Sequence, residues 1–155
     1  MKKSIFYYLF AVVCTVCLFT ACSDDDDDDN KQSLTVDNIV GTYNGAMNVS
    51  VASAPVVKDK ATSISVVKSD DGVKVVLSNF SIEGVLPTPI TIEAPCTVKA
   101  SGDKLELKGT ATVDLSALGM GELEASVSGD ADGKNLTLKI DVTKMLVVVD
   151  YVGTK

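Results

Sequence analysis

The chain has 155 residues, a hydrophobic content of 46% and a formal net charge of −7, and it contains no His, no Arg and no Trp. The missing types remove the imidazole base and the His-built metal site, and with them the bidentate guanidinium clamp for phosphate or carboxylate. The charge is local: six of the acids are Asp24 to Asp29, and from Asn30 onward 15 acids face 12 lysines, so no basic patch is present to hold nucleic acid.

The N-terminus is a leader. Lys2 and Lys3 are followed by Ile5 to Thr20, uncharged and almost wholly apolar. Its 16 residues fit the h-region of a signal peptide, and a spanning helix needs roughly 20. Residues 1–21 are expected to be removed; the alternative is an N-terminal membrane anchor. Cys14 and Cys17 would leave with the leader. Leu18-Phe19-Thr20-Ala21-Cys22 resembles the lipobox of bacterial lipoproteins, with small residues at Thr20 and Ala21. What that resemblance implies is cleavage before Cys22 and acyl chains on it, enough to hold a protein at a membrane. Ser23 and the run Asp24, Asp25, Asp26, Asp27, Asp28, Asp29 resemble the acid-rich export signal of Bacteroidota surface lipoproteins. The resemblance implies an outer-membrane protein facing the cell exterior. The alternative is a solvated tether over residues 22–37, since like charges repel and build no core.

From Gly41 the hydrophobic period is two. Tyr43, Met47, Val49 and Val51 mark a first strand, which Pro55 and Lys58-Asp59-Lys60 are expected to break. Ile64 and Val66 mark a second. Ser69-Asp70-Asp71-Gly72 is a hairpin turn, and Val73, Val75 and Leu77 make a third strand ending near Phe80. Glu83 to Pro89 reads as a loop with an apolar tip, Val85-Leu86, either a lid or a plug. Ile90, Ile92, Ala94, Cys96 and Val98 give a fourth strand, at an edge or bulged where Pro95 cannot donate to a ladder. Leu105, Leu107, Gly109, Ala111 and Val113 share one face of a fifth. Leu115 to Gly121 has room for one short helical turn. Leu123, Ala125 and Val127 mark a sixth strand, Gly129 to Lys134 a turn, Leu136 to Val142 a seventh strand, and Leu146 to Val152 an eighth.

Eight short strands with hairpin-length links predict an all-β fold: a single antiparallel up-and-down eight-stranded barrel, with a β-sandwich as the alternative. Asn38-Ile39-Val40-Gly41-Thr42-Tyr43, together with Tyr151-Val152-Gly153-Thr154-Lys155, resembles the calycin-like lipoproteins of Bacteroidota. Tyr43 stands where lipocalin barrels carry Trp. The resemblance covers most of 38–155 and carries no established activity with it.

Candidate sites are few. Tyr43, Val75, Ile92, Leu107, Ala111, Val127 and Ile140 are expected to point into the barrel with Val49 and Ile64. The small residues Ala94, Gly109 and Ala125 there leave room for an apolar ligand. Cys96 lies on an apolar face and has no partner for a disulfide; a buried small hydrophobe is expected. Glu122 and Glu124 share a strand face as a carboxylate pair would, and Asp130, Asp132 and Gly133 hint at a calcium loop without its distal Glu. Both groups read more simply as solvated surface. The expectation is a non-enzymatic, lipid-anchored barrel with no cofactor and no metal. Its partners would be the membrane through Cys22, a small apolar ligand, or a protein at the cell surface. A solid-cored structural subunit of an outer-membrane complex is the alternative.

Overall fold

The computed structural model describes residues 33–155; the leader, Cys22, Ser23 and Asp24 to Asp29 lie outside the described residues. Leu34–Lys155 forms a compact unit. It holds a four-residue helix, α1 (Val36–Ile39), and eight strands: β1 (Gly41–Val51), β2 (Ala54–Ser69), β3 (Gly72–Ile82), β4 (Leu86–Ser101), β5 (Lys104–Asp114), β6 (Glu122–Ala131), β7 (Asn135–Val142) and β8 (Val147–Thr154). They close in sequence order into an antiparallel barrel. The β1–β8 ladder, from Asn44↔Thr154 to Val51↔Val147, makes the closure and decides barrel over sandwich.

Each strand buries one parity of residues, as a pleat requires when one face meets the core, except β3, which changes from odd to even between Leu77 and Phe80. Every member of the resulting core lies between Ile39 and Tyr151, and no polar or charged residue among the described ones is buried. The barrel therefore carries a complete hydrophobic core within itself.

Four expectations are corrected. Pro55 and Lys58-Asp59-Lys60 do not break a strand; they lie inside β2, which pairs with β1 from Val51↔Ala54 onward through an irregular register. The loop expected over Glu83 to Pro89 shrinks to Glu83–Val85, because β4 already begins at Leu86. β6 runs through Ala131, so the turn expected to begin at Gly129 begins at Asp132. Leu146 stands outside the last strand, 61% exposed with φ 53, and β8 continues past Val152 to Thr154. The expected helical turn is a short 3-10 turn at Ser116–Leu118.

The two ends of the barrel are built differently. β1–β2, β3–β4, β5–β6 and β7–β8 are laddered along most or all of their length. Of the remaining four, β1–β8 is laddered up to the mouth at Val51↔Val147, and three are laddered only near their turns. β2 and β3 pair from Ser69↔Gly72 to Ser65↔Val76. β4 and β5 pair from Ser101↔Lys104 to Cys96↔Gly109. β6 and β7 pair from Ala131↔Leu136 to Ser126↔Asp141. The end carrying α1 is thus fully bonded, while the far end, the mouth, opens at three seams, with β7–β8–β1–β2 staying laddered to the rim. All four prolines, Pro55, Pro87, Pro89 and Pro95, fall in stretches of β2 or β4 that border such a seam. Proline cannot donate to a ladder and is tolerated where a strand is locally an edge, so the edge reading of Pro95 holds in this local sense.

α1 closes the bonded end. The Thr35 amide and hydroxyl both donate to Asn38 Oδ1, at 2.8 Å each, in the manner of a capping box. Ile39 is wholly buried. The Tyr43 hydroxyl donates to the Ile39 carbonyl at 2.8 Å, and the Tyr151 hydroxyl donates to the Tyr43 carbonyl at 2.8 Å. Lys155 Nζ donates to the carbonyls of Asn38 (2.6 Å) and Val40 (2.9 Å) and lies 5.3 Å from the Tyr43 ring centre, a cation–π distance.

Candidate functional site: an apolar cavity under the mouth

An eight-stranded barrel has an interior that side chains just fill or that holds one small ligand. Here both occur, at different heights. Tyr43, Val75, Ile92, Leu107, Ala111, Val127 and Ile140 are all buried, and so are Val49, Ile64, Ala94 and Ala125. The room expected over the small residues is taken. A side chain added at Gly109 would meet Cys96 Sγ and the Pro95 carbonyl, and one at Gly153 would meet the Tyr151 ring. Tyr151, which the sequence reading left out of the interior, is 1% exposed and fills the bonded end together with Tyr43.

Free volume lies at the mouth. A cavity of about 30 Å³ is lined by Phe80, Ile82, Val85, Leu86, Ile90, Ile92, Val113, Leu115, Val142, Met145 and Val147. No polar side chain lines it. Three hairpins contribute: β3–β4 with its turn, the end of β5 with the residue after it, and β7–β8 with its connection. Val85 and Leu86 fold inward as part of the wall; Leu86 is 3% exposed. Of the seven residues expected to meet a ligand, Ile92 alone lines this cavity; the other six lie in the packed interior.

Sequence reasoning singled out Val85 and Leu86 as a lid or plug and missed other lining residues for identifiable causes. Phe80 and Ile82 are out of phase with Val73, Val75 and Leu77, because the register slips between Leu77 and Ile82 around Asn79, which has φ 57. Such a bulge moves the inward face from odd to even numbers. Leu115 and Met145 belong to connections, where no period exists to reveal them.

The polar candidates are engaged elsewhere. Asp130 pairs with Lys104 at 2.7 Å. Asp132 accepts the amides of Lys134 (2.9 Å) and Asn135 (2.7 Å) and the Asn135 side chain (2.8 Å). Those donors, the Asn135 side chain foremost, hold its carboxyl down to about 2. Glu122, Glu124 and Asp150 are exposed on the outer face. Cys96 is buried, its Sγ 3.5 Å from the Ala94 carbonyl. Burial pushes its thiol up to about 11, away from the thiolate a nucleophile needs. No group of three or more potential metal ligands occurs among the described residues.

Residues 39–154 match the family model for the Calycin-like beta-barrel domain. The chain belongs to this calycin-like family. No curated protein and no solved structure matches it. The family match begins at Ile39, whose carbonyl receives the Tyr43 hydroxyl, and ends at Thr154, the last residue of β8. It therefore spans the whole calycin-like barrel, from the plug at its bonded end to the cavity at its mouth.

Proposed function

We propose that this calycin-like protein is a lipid-anchored, non-enzymatic barrel of the outer membrane, exposed at the cell surface, that binds a small apolar ligand at its mouth. One observation carries the binding claim: an apolar cavity sits at the mouth, the end where three of the ladders stop short and the barrel can widen along their seams without breaking backbone hydrogen bonds. The anchor is supported by the lipobox-like stretch ending at Cys22, and surface exposure by Ser23 and the aspartates Asp24 to Asp29 that follow. Non-catalytic function is supported by the absence of His and Arg, by the commitment of Asp130 and Asp132 to a neighbouring lysine and to the turn, and by the burial of Cys96.

Binding is tested on the piece from residue 33 onward, which contains the whole core. N-phenyl-1-naphthylamine should bind saturably with enhanced fluorescence, and decanol should displace it. Val113→Phe, which fills the cavity, should abolish binding while the circular dichroism of the barrel persists. Absence of dye binding by the unaltered barrel would overturn the ligand claim. Cys22→Ala should abolish labelling by a fatty-acid precursor; replacing Asp24 to Asp29 by Ser and Ala should leave labelling intact and remove access to external protease.

A second reading is favoured by the packed middle of the barrel: a structural subunit of an envelope complex that takes no ligand. It predicts no dye binding and retention of the protein in a larger envelope particle.

A further inference from the structure

The cavity is too small for a whole ligand. Its 30 Å³ is about a tenth of the roughly 300 Å³ at which pockets begin to enclose drug-sized ligands. Only the tip of a molecule fits, and the rest must leave by a path the backbone does not close. The cavity straddles such a path. Ile90 and Ile92 on β4 and Val113 on β5 are among its walls, and the β4–β5 ladder stops at Cys96↔Gly109, before reaching any of them. Pro87, Pro89 and Pro95, none of which has an amide donor, all lie on the β4 stretch that borders this seam, as prolines do where a strand is not fully laddered.

Outside the seam the unpaired charge is of one sign: Asp114 stands at the β5 rim, where it accepts the Ser116 amide at 2.9 Å and the Ser116 hydroxyl, and the next strand, β6, adds two more acids. Asp114 ends β5, and Glu122 and Glu124 stand opposite Asp114 and Thr112 on β6. All three are exposed, and none is in an ion pair among the described residues. Across the seam, Glu93 is held by Lys74 at 3.1 Å. A carboxylate brought here would meet like charge; a neutral or cationic group would not.

We infer that the seam between β4 and β5 is the entry path, and that it admits a single unbranched alkyl chain with a neutral or cationic head group. The terminal methyl sits in the cavity, the chain lies in the seam, and the head rests beside Asp114. This specifies the ligand of the mouth site proposed above and rests on that proposal.

Two arms test it, both on the piece from residue 33 onward. In the first, decanol, decylammonium and decanoate compete for bound N-phenyl-1-naphthylamine. Decanol and decylammonium should displace it at least tenfold more effectively than decanoate. The exterior triple variant Asp114→Asn, Glu122→Gln, Glu124→Gln should erase that difference. No preference in the parent, or one that survives the triple variant, overturns the head-group assignment. In the second, Glu93→Cys and Thr112→Cys are combined with Cys96→Ala; continuing the register past Cys96↔Gly109 places positions 93 and 112 opposite each other. Oxidation should slow dye entry at least tenfold, and reduction should restore it. Equal rates in the two states overturn the seam as the path. If the cross-link does not form, Ile90→Trp, a ring at the seam, takes its place, with unchanged dye entry as the overturning result. If the parent barrel binds no dye, the mouth site and the seam fall together. If the parent binds and both arms are negative, the site stands and the seam alone falls.

Discussion

At the residue scale, two tyrosines fasten the bonded end, and their hydroxyls are satisfied inside it. The Tyr151 hydroxyl lies 2.8 Å from the Tyr43 carbonyl and 3.3 Å from that of Thr62. Tyr151→Phe removes the donor and leaves a buried carbonyl without its partner, which costs about 1–3 kcal/mol; a shift of the urea midpoint at unchanged slope is the measurement. Burial, with a contribution from Asp132, pushes the Tyr43 phenol up from 10.0 to about 12. The unfolded chain releases this proton first, so the contribution to stability is complete below pH 10.0 and is lost as pH rises toward about 12. The Cys96 thiol, raised from 9.0 to about 11, drives a loss of the same sign beginning at lower pH. Urea unfolding across that alkaline window should show a falling stability; a flat profile would contradict both assignments. Cys96 should also resist an aromatic disulfide reagent in the folded barrel and react fully in urea. Its burial was legible, because Ile92, Ala94 and Cys96 alternate with Thr91, Glu93 and Pro95. The partners of Tyr151 were not legible, because they lie 108 and 89 positions away in the chain.

At the scale of the element, legibility follows the ladders. β7 buries alternate residues throughout, and β5 and β6 do so apart from their partly exposed glycines, Gly109 and Gly129, so their faces are plain in the sequence. The first half of β2 is mostly exposed on both faces, since it pairs with β1 alone; with no buried face it has no period to read, and Pro55 looks like a break. β4 begins among prolines for the same reason. The β1–β2 turn shows a different conflict. Val51 pairs with Ala54, and the two residues between them, Ala52 and Ser53, have φ of 50 and 68. Two positive φ values in a two-residue hairpin are the type I′ arrangement, for which Asn-Gly is the preferred pair. A left-handed residue other than glycine or asparagine costs about 1–2 kcal/mol. Replacing Ala52 by Asn and Ser53 by Gly should therefore raise stability by about 1 kcal/mol, read as a higher urea midpoint. No gain would mean that the hydrogen bond from the Ala52 amide to the Leu146 carbonyl, 2.9 Å, needs the turn as it is. At the other end, Asp132→Ala removes three acceptor contacts from the β6–β7 turn. Because its carboxyl is lowered from 3.8 to about 2, the stability it supplies is present above pH 3.8 and is lost as pH falls toward about 2.

At the scale of the molecule, the barrel is asymmetric along its axis, and the asymmetry sets where it can open. Strand number and up-and-down order were legible, because eight alternating segments joined by short links have few ways to bury one face each. Closure followed from the hairpin-length links; the seams were not legible, since they depend on where neighbouring strands stop pairing, which local pattern does not encode. Local opening is cheapest where backbone hydrogen bonds are fewest. Amide hydrogen exchange of the piece from residue 33 onward should therefore divide the barrel by height rather than by strand. The amides of Leu105 to Lys108 lie between two ladders, to β4 and to β6, and should exchange only with global unfolding. Along Thr110–Asp114 of the same strand only the β6 ladder remains. Alternate amides there, those that face β4, should exchange faster by at least tenfold, while those facing β6 stay protected. An alternating pattern confined to the mouth half of β5 identifies the seam as an open edge. Uniform protection along the whole of β5 would mean that β4 and β5 are bonded to the rim, and the cavity would then have no lateral exit.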